Sequence, residues 1–183
     1  MMNMKDMASV VQELIAQQTH IFELLGDDRI PTPRPPITAD ALAHLQTWWA
    51  KQGASLPASY VAFLKVCDGI ESFCSSYDLF GAQDLLSPAY GKLSEALVPA
   101  DLGLPKGDEA ALVLLGWSDE TDTRLIADLR HAPLQAGEAV ILEGDAGNWS
   151  LHESFGDYLR MRVEANRLTM AEILRVRQLG EDA

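Results

Sequence analysis

Basic residues are scarce in this chain: 14 Lys and Arg stand against 27 Asp and Glu, a net charge of −13 over 183 residues. A surface with that balance repels nucleic-acid phosphates and anionic lipid headgroups, so direct nucleic-acid binding and peripheral membrane attachment are not expected. Cysteine is scarcer still. Cys67 and Cys74 are the only two, too few for a disulfide scaffold, and neither they nor the scattered His20, His44, His131 and His152 show a zinc-ligand spacing. Long apolar runs are also missing: nothing approaches the roughly 18 uninterrupted apolar residues of a membrane span. The apolar start of the chain is broken by Gln12, Glu13, Gln17 and Gln18 with only Lys5 ahead of it, which does not make a secretory signal. The expected location is the cytoplasm.

Motifs that carry chemistry are equally thin. There is no glycine-rich phosphate loop, no HExxH pair and no G-x-S-x-G elbow. The acidic knot of Asp119, Glu120 and Asp122 is the nearest approach to a calcium loop, but it lacks the turn glycine and the distal glutamate that such a loop needs. Cys67 sits at an apolar position of a helical pattern, where a thiol is inert. The expectation is a protein without catalytic groups, bound metal or cofactor.

What is present is an ordinary globular composition, 48% hydrophobic and 22% charged, in a length that lets one domain remove roughly 70% of its unfolded surface from water. In residues 1–26, Met7, Val10, Val11, Leu14, Ile15, Ile21, Phe22 and Leu25 recur at helical spacing, an amphipathic helix whose stripe suits core packing. Residues 27–36, DDRIPTPRPP, hold four prolines and must run extended as a tether or strap. Thr38 is placed to cap a second helix, with Ile37 and Leu42 flanking its entry. A third opens at Pro57 in a first-turn position and carries Tyr60, Phe63, Leu64 and Cys67 at i, i+3, i+4 and i+7 before Gly69. The period then shortens: 71–80, 110–115, 124–129 and 139–142 read as strands, with 81–109 mostly irregular apart from a helical turn near 84–86. Two helices close the chain, one capped by Ser154 and a second starting at Thr169. The predicted architecture is α+β, a mainly antiparallel sheet covered by helices with extra helices at both ends. Its segments are the helix at 1–26, the connection at 27–36, a domain over 37–167, and a helix and tail at 168–183.

Charge is unevenly placed along this plan. Residues 1–67 carry six acids and five bases, 68–157 carry seventeen and four, and 158–183 carry four and five. The whole excess lies in the strand-bearing middle, which attracts basic proteins over distance and does so less at high salt.

The run LPASYVAFLKVCDGIESF at 56–73 resembles the signature of the SUKH superfamily, in which a leucine-proline pair opens a helix bearing an aromatic and a Phe-Leu pair. LFGAQDL at 79–85, ALVLLGWSDETDTRLIADL at 111–129 and SFGDYL at 154–159 are similar to its following elements, in order, over about residues 37–167. Gly69-Ile70 stands where that family usually has Gly-Gly, and the turn at 118–122 is acidic where it commonly has glycines. The resemblance implies an α+β binding module, as in bacterial immunity proteins that neutralise toxins and in fungal regulators of cell-wall assembly. The partner it implies is a protein, with a basic nuclease-type toxin as the charge-matched case. Candidate contact residues are Trp117, Asp119, Glu120 and Asp122, with Trp149 in the glycine-bounded GDAGNWS segment; packing at strand ends is the competing role for both tryptophans. The alternative function is an intracellular scaffold or regulator that captures an endogenous protein through the amino-terminal helix.

Overall fold

The computed structural model describes residues 4–74, 77–97, 112–118, 120–129, 137–145 and 148–181. The amino-terminal stripe forms α1 (Met4–Leu25), which buries Met7, Val11, Leu14, Ile21 and Phe22 and stops at Gly26, whose φ of 69° is a left-handed conformation that suits glycine. The proline-rich stretch behind it is a strap, and it supplies a short edge strand, β1 (Thr32–Pro33). Backbone and side chain both pin it. Arg34 N donates to Gly69 O, Asp68 N to Pro35 O and Ile37 N to Leu64 O, while Arg34 Nη2 lies 2.7 Å from Asp84 Oδ2.

In α2 (Ala39–Ala50) the Thr38 hydroxyl accepts from Ala41 N at 3.2 Å, the expected cap. Pro57 proves to be the N-cap of α3 (Ala58–Leu64) instead of a first-turn residue, and it offers no side-chain acceptor. A carboxylate from far along the chain takes that role: Glu138 Oε1 accepts from Ser59 N at 3.0 Å and its Oε2 from Ser59 Oγ at 2.6 Å. Trp49 of α2 and Tyr60 of α3 pack with ring centroids 6.0 Å apart. Phe155 stands 5.0 Å from Tyr60 and 5.1 Å from Phe63, an aromatic nucleus for the core.

The remaining strands are β2 (Ile70–Cys74), β3 (Tyr77–Leu79), β4 (Leu112–Trp117), β5 (Arg124–Asp128), β6 (Val140–Asp145) and β7 (Asn148–His152). The sheet has seven strands in sequence order, β1 to β7, and each neighbouring pair is antiparallel. The aromatic run at 71–80, read from sequence as one strand, is a hairpin; Ser72, at φ 52°, breaks the ladder inside it. β7 occupies a stretch, just after the glycine-bounded GDAG, to which the sequence pattern assigns no element. Two helices, α4 (Ala82–Leu85) and α5 (Tyr90–Leu97), occupy part of the stretch expected to be mostly irregular. Their anchors are tertiary and thus invisible to periodicity. Asp68 Oδ1 accepts from Ala82 N at 2.6 Å. The Tyr90 hydroxyl accepts from Leu114 N at 2.9 Å and donates to Leu114 O at 3.2 Å.

At the carboxyl end a single 27-residue helix, α6 (Phe155–Glu181), replaces the expected pair and runs through position 168. Ser154 caps it, its Oγ accepting from Asp157 N at 3.1 Å. Thr169 does not start a new helix; its hydroxyl donates back to Ala165 O at 3.0 Å within the continuing one. No glycine or proline stands near Thr169 to stop the first helix. α6 lies against α1, with Arg167 Nη2 2.6 Å from Glu13 Oε1 and Arg177 donating to the Leu24 carbonyl. Phe155, Tyr158, Leu159 and Val163 face inward and join α1, α3 and the sheet in one core.

Candidate partner-binding end of the sheet

An antiparallel meander turns alternately at its two ends, and here the β2–β3, β4–β5 and β6–β7 connections all fall at one end. Four of the five sequence-picked residues lie there. Trp117 ends β4, Glu120 and Asp122 lie in the β4–β5 turn, and Trp149 is near the start of β7; Asp119 lies outside the described residues.

Register ties the tryptophans together. Trp117 pairs with Arg124, Arg124 with Gly144, and Gly144 with Trp149. Directly paired residues project to the same face, so one cross-strand row reads Trp117, Arg124, Gly144, Trp149. Gly144 carries no side chain in it, and a Cβ there would run into the Asn148 carbonyl oxygen, so the hairpin backbone itself fills the place between the guanidinium and the second indole. Both tryptophans are half-buried and packed against the core. The Trp117 Nε1 and Arg124 Nε donors are buried without a hydrogen-bond partner, an unusual state for a polar atom removed from water.

The acids of the turn are not loose charges. Arg29 Nη1 lies 3.2 Å from Glu120 Oε2 while its Nη2 lies 2.6 Å from Asp27 Oδ2, and its guanidinium sits 5.4 Å above the Phe22 ring. That arginine therefore laces the strap to the turn. The hydrogen bond from Arg29 holds the Asp27 carboxyl below its usual range. Asp122 adopts a φ of 54° and approaches Arg124 Nη2 at 2.8 Å. Glu120 and Asp122 are each 58% exposed, so water screens these pairs and a partner can exchange them at little cost.

Behind the row, on the opposite face, a polar cluster closes the sheet against α6. Tyr158 donates to Glu143 Oε1 at 3.1 Å, Arg162 Nη1 lies 3.6 Å from the same oxygen, and Arg162 Nη2 lies 2.6 Å from Cys74 Sγ. Cys74, Glu143 and Arg162, with Tyr77, Thr121 and Thr123, line a cavity of about 150 Å³. The Tyr77 hydroxyl comes near that of Tyr158 but meets no partner at hydrogen-bonding geometry. Burial pushes both phenols well above their ordinary range. It also raises the Cys74 thiol, against the pull of Arg162. His152 is lowered, again by burial first, with Glu143 and Asp157 opposing. The phenols and the thiol thus stay protonated near neutrality, and the cluster acts as hydrogen-bonded packing under the turns. Cys67 is buried elsewhere in the core and pushed up to about 12 by burial, an inert thiol as its helical position suggested. Among the described residues no group of three or more His, Cys, Asp and Glu is arranged to hold a metal ion, and no helix is long and apolar enough to cross a membrane.

Arg124 and Gly144 were not picked from the sequence. Neither carries a local motif, and only the strand register places them between the tryptophans. Comparison with known proteins assigns no family: no family model matches this chain, and no curated protein matches it.

Proposed function

We propose that this protein is a non-catalytic binding module, an immunity protein that neutralises a bacterial toxin by direct contact. The observation that carries the reading is the placement of charge: residues 68–157, which hold seventeen acids and four bases, supply β2 through β7. The acidic excess therefore lies in the stretch of chain that carries these strands and the segments joining them. A toxin that cuts nucleic acid must present a basic groove, and an acidic inhibitor gains fast, steered association with it. The half-buried Trp117 and Trp149, in one row at the turn end, are the large rigid side chains that lend affinity in such interfaces. The SUKH resemblance points the same way, and its motif stretches coincide with α3 and its exit, with β4 and β5, and with the start of α6.

The test is co-expression with the product of the gene immediately upstream, read as cell survival. Wild-type protein is expected to protect, and replacing Asp119, Glu120 and Asp122 together by alanine is expected to weaken protection. Unchanged survival would remove the turn from the account, and an upstream gene with no toxic product would remove the immunity reading. A scaffold that captures its partner through the amino-terminal helix is less well supported, because the apolar stripe of α1 is already committed to the core.

A further inference from the structure

The two outer strands of the sheet, β1 and β7, are built in opposite ways. β1 is two residues long and is surrounded by Pro31, Pro33, Pro35 and Pro36, which blunts it because proline has no N–H to offer. β7 has five residues, NWSLH, without proline. It pairs with β6 in unbroken register from Asp145↔Asn148 to Ile141↔His152. Its other side carries alternate N–H and C=O groups with no strand beside them among the described residues. Leu151 is 61% exposed there, Asn148 and Ser150 are exposed, and Trp149 is half-buried.

Lysine is the usual guard on such an edge, and it is missing. β7 itself carries no Lys or Arg; nearby, Glu138 is taken up by Ser59, Glu143 by Tyr158 and Arg162, and Asp157 by Arg160, while Glu153, next to the end of the strand, is exposed. A second copy of this chain would bring its own net charge of −13 to the contact and be repelled. An extended segment bearing lysine or arginine is complementary in both backbone and charge.

We propose that β7 is a strand-addition site for a basic, extended segment of the partner protein. This rests on the binding function proposed above and names its mode: main-chain hydrogen bonds to the outer side of β7 supply the affinity. Trp149 and Leu151, which alternate onto one face of the sheet, receive an apolar side chain of the added strand. The basic side chains of that strand answer the exposed Glu153 and the net negative charge of the chain.

The probe is a short peptide alternating lysine with valine, with a glutamate–valine peptide as control, added to the full chain and followed by amide hydrogen exchange. The lysine peptide is expected to slow exchange of amides within 148–152 about tenfold or more, and Leu151→Lys to weaken its binding by about tenfold. Leu151→Glu carries the same folding risk at the same exposed position and is expected to keep the binding. Three results overturn the proposal: unaltered exchange in 148–152, equal slowing by the glutamate peptide, or slowing that rises with protein concentration alone, which makes a second copy the occupant. The co-expression assay separates this proposal from the one it rests on. Protection that survives Leu151→Lys leaves the binding function standing and discards β7 as its route; protection lost with Leu151→Lys and kept with Leu151→Glu supports both.

Discussion

Glu138 shows how a single buried carboxylate can substitute for a local signal. Pro57 leaves the start of α3 without a side-chain cap, and Glu138, 8% exposed, accepts from both the amide and the hydroxyl of Ser59. Hydrogen bonds to charged groups are worth more than neutral ones, so Glu138→Ala is expected to lose about 2 to 3 kcal/mol in urea unfolding. Ser59→Ala in the same background should add little, because the two changes remove one interaction. His152 sets a pH dependence. Its folded-state pKa is lowered, chiefly by burial and further by Arg162, with Glu143 and Asp157 opposing. The unfolded chain therefore binds the proton more readily, and this contribution to stability is present above the ordinary histidine pKa and lost as pH falls through the folded value. His152→Gln is expected to flatten the fall in stability between about pH 7 and pH 5. An unaltered pH profile would show that His152 does not set it.

At the scale of elements, α1 is expected to be indispensable. Leu14 is 1% exposed and Phe22 2%, so Leu14→Ala should lose about 2 to 5 kcal/mol, and removing residues 1–26 should abolish soluble expression. Recovery of a folded, truncated protein would show instead that the helix is an appendage. The helical stripe of α1, the Thr38 and Ser154 caps and the apolar runs of β4 to β6 were all legible in the sequence, because each is written in residues a few positions apart. β7, the continuity of α6 and the helix α5 were not, and α4 was legible only as a helical turn near 84–86. What holds α4 and α5 is the carboxylate of Asp68 and the backbone of Leu114, both distant in the chain. Thr169 looked like a cap because its hydroxyl can bond in either direction, and in the structure it bonds backwards. The candidate site was half legible: the acids and tryptophans stand out by type, but the row that joins Trp117 to Trp149 exists only once three registers are fixed.

For the whole molecule the governing property is the separation of charge from packing. The net charge of −13 sits mainly on the sheet-bearing stretch, so capture of a basic partner should be rapid at low ionic strength and slow steeply as salt is raised across the range where the screening length falls to about 8 Å. Stopped-flow association at several salt concentrations measures this; a salt-independent rate would assign recognition to shape alone.

The pairing of α1 with α6 has a consequence for how the chain is made. Every ladder of the meander joins neighbours in sequence, but Glu13 meets Arg167 across a separation of 154 residues. On the ribosome, the face of α1 that meets α3 and β2 can be covered early, but the face that meets α6 stays uncovered until residues 155–181 have emerged. The nascent protein is accordingly expected to engage chaperones early and to become protease-resistant only when α6 clears the exit tunnel.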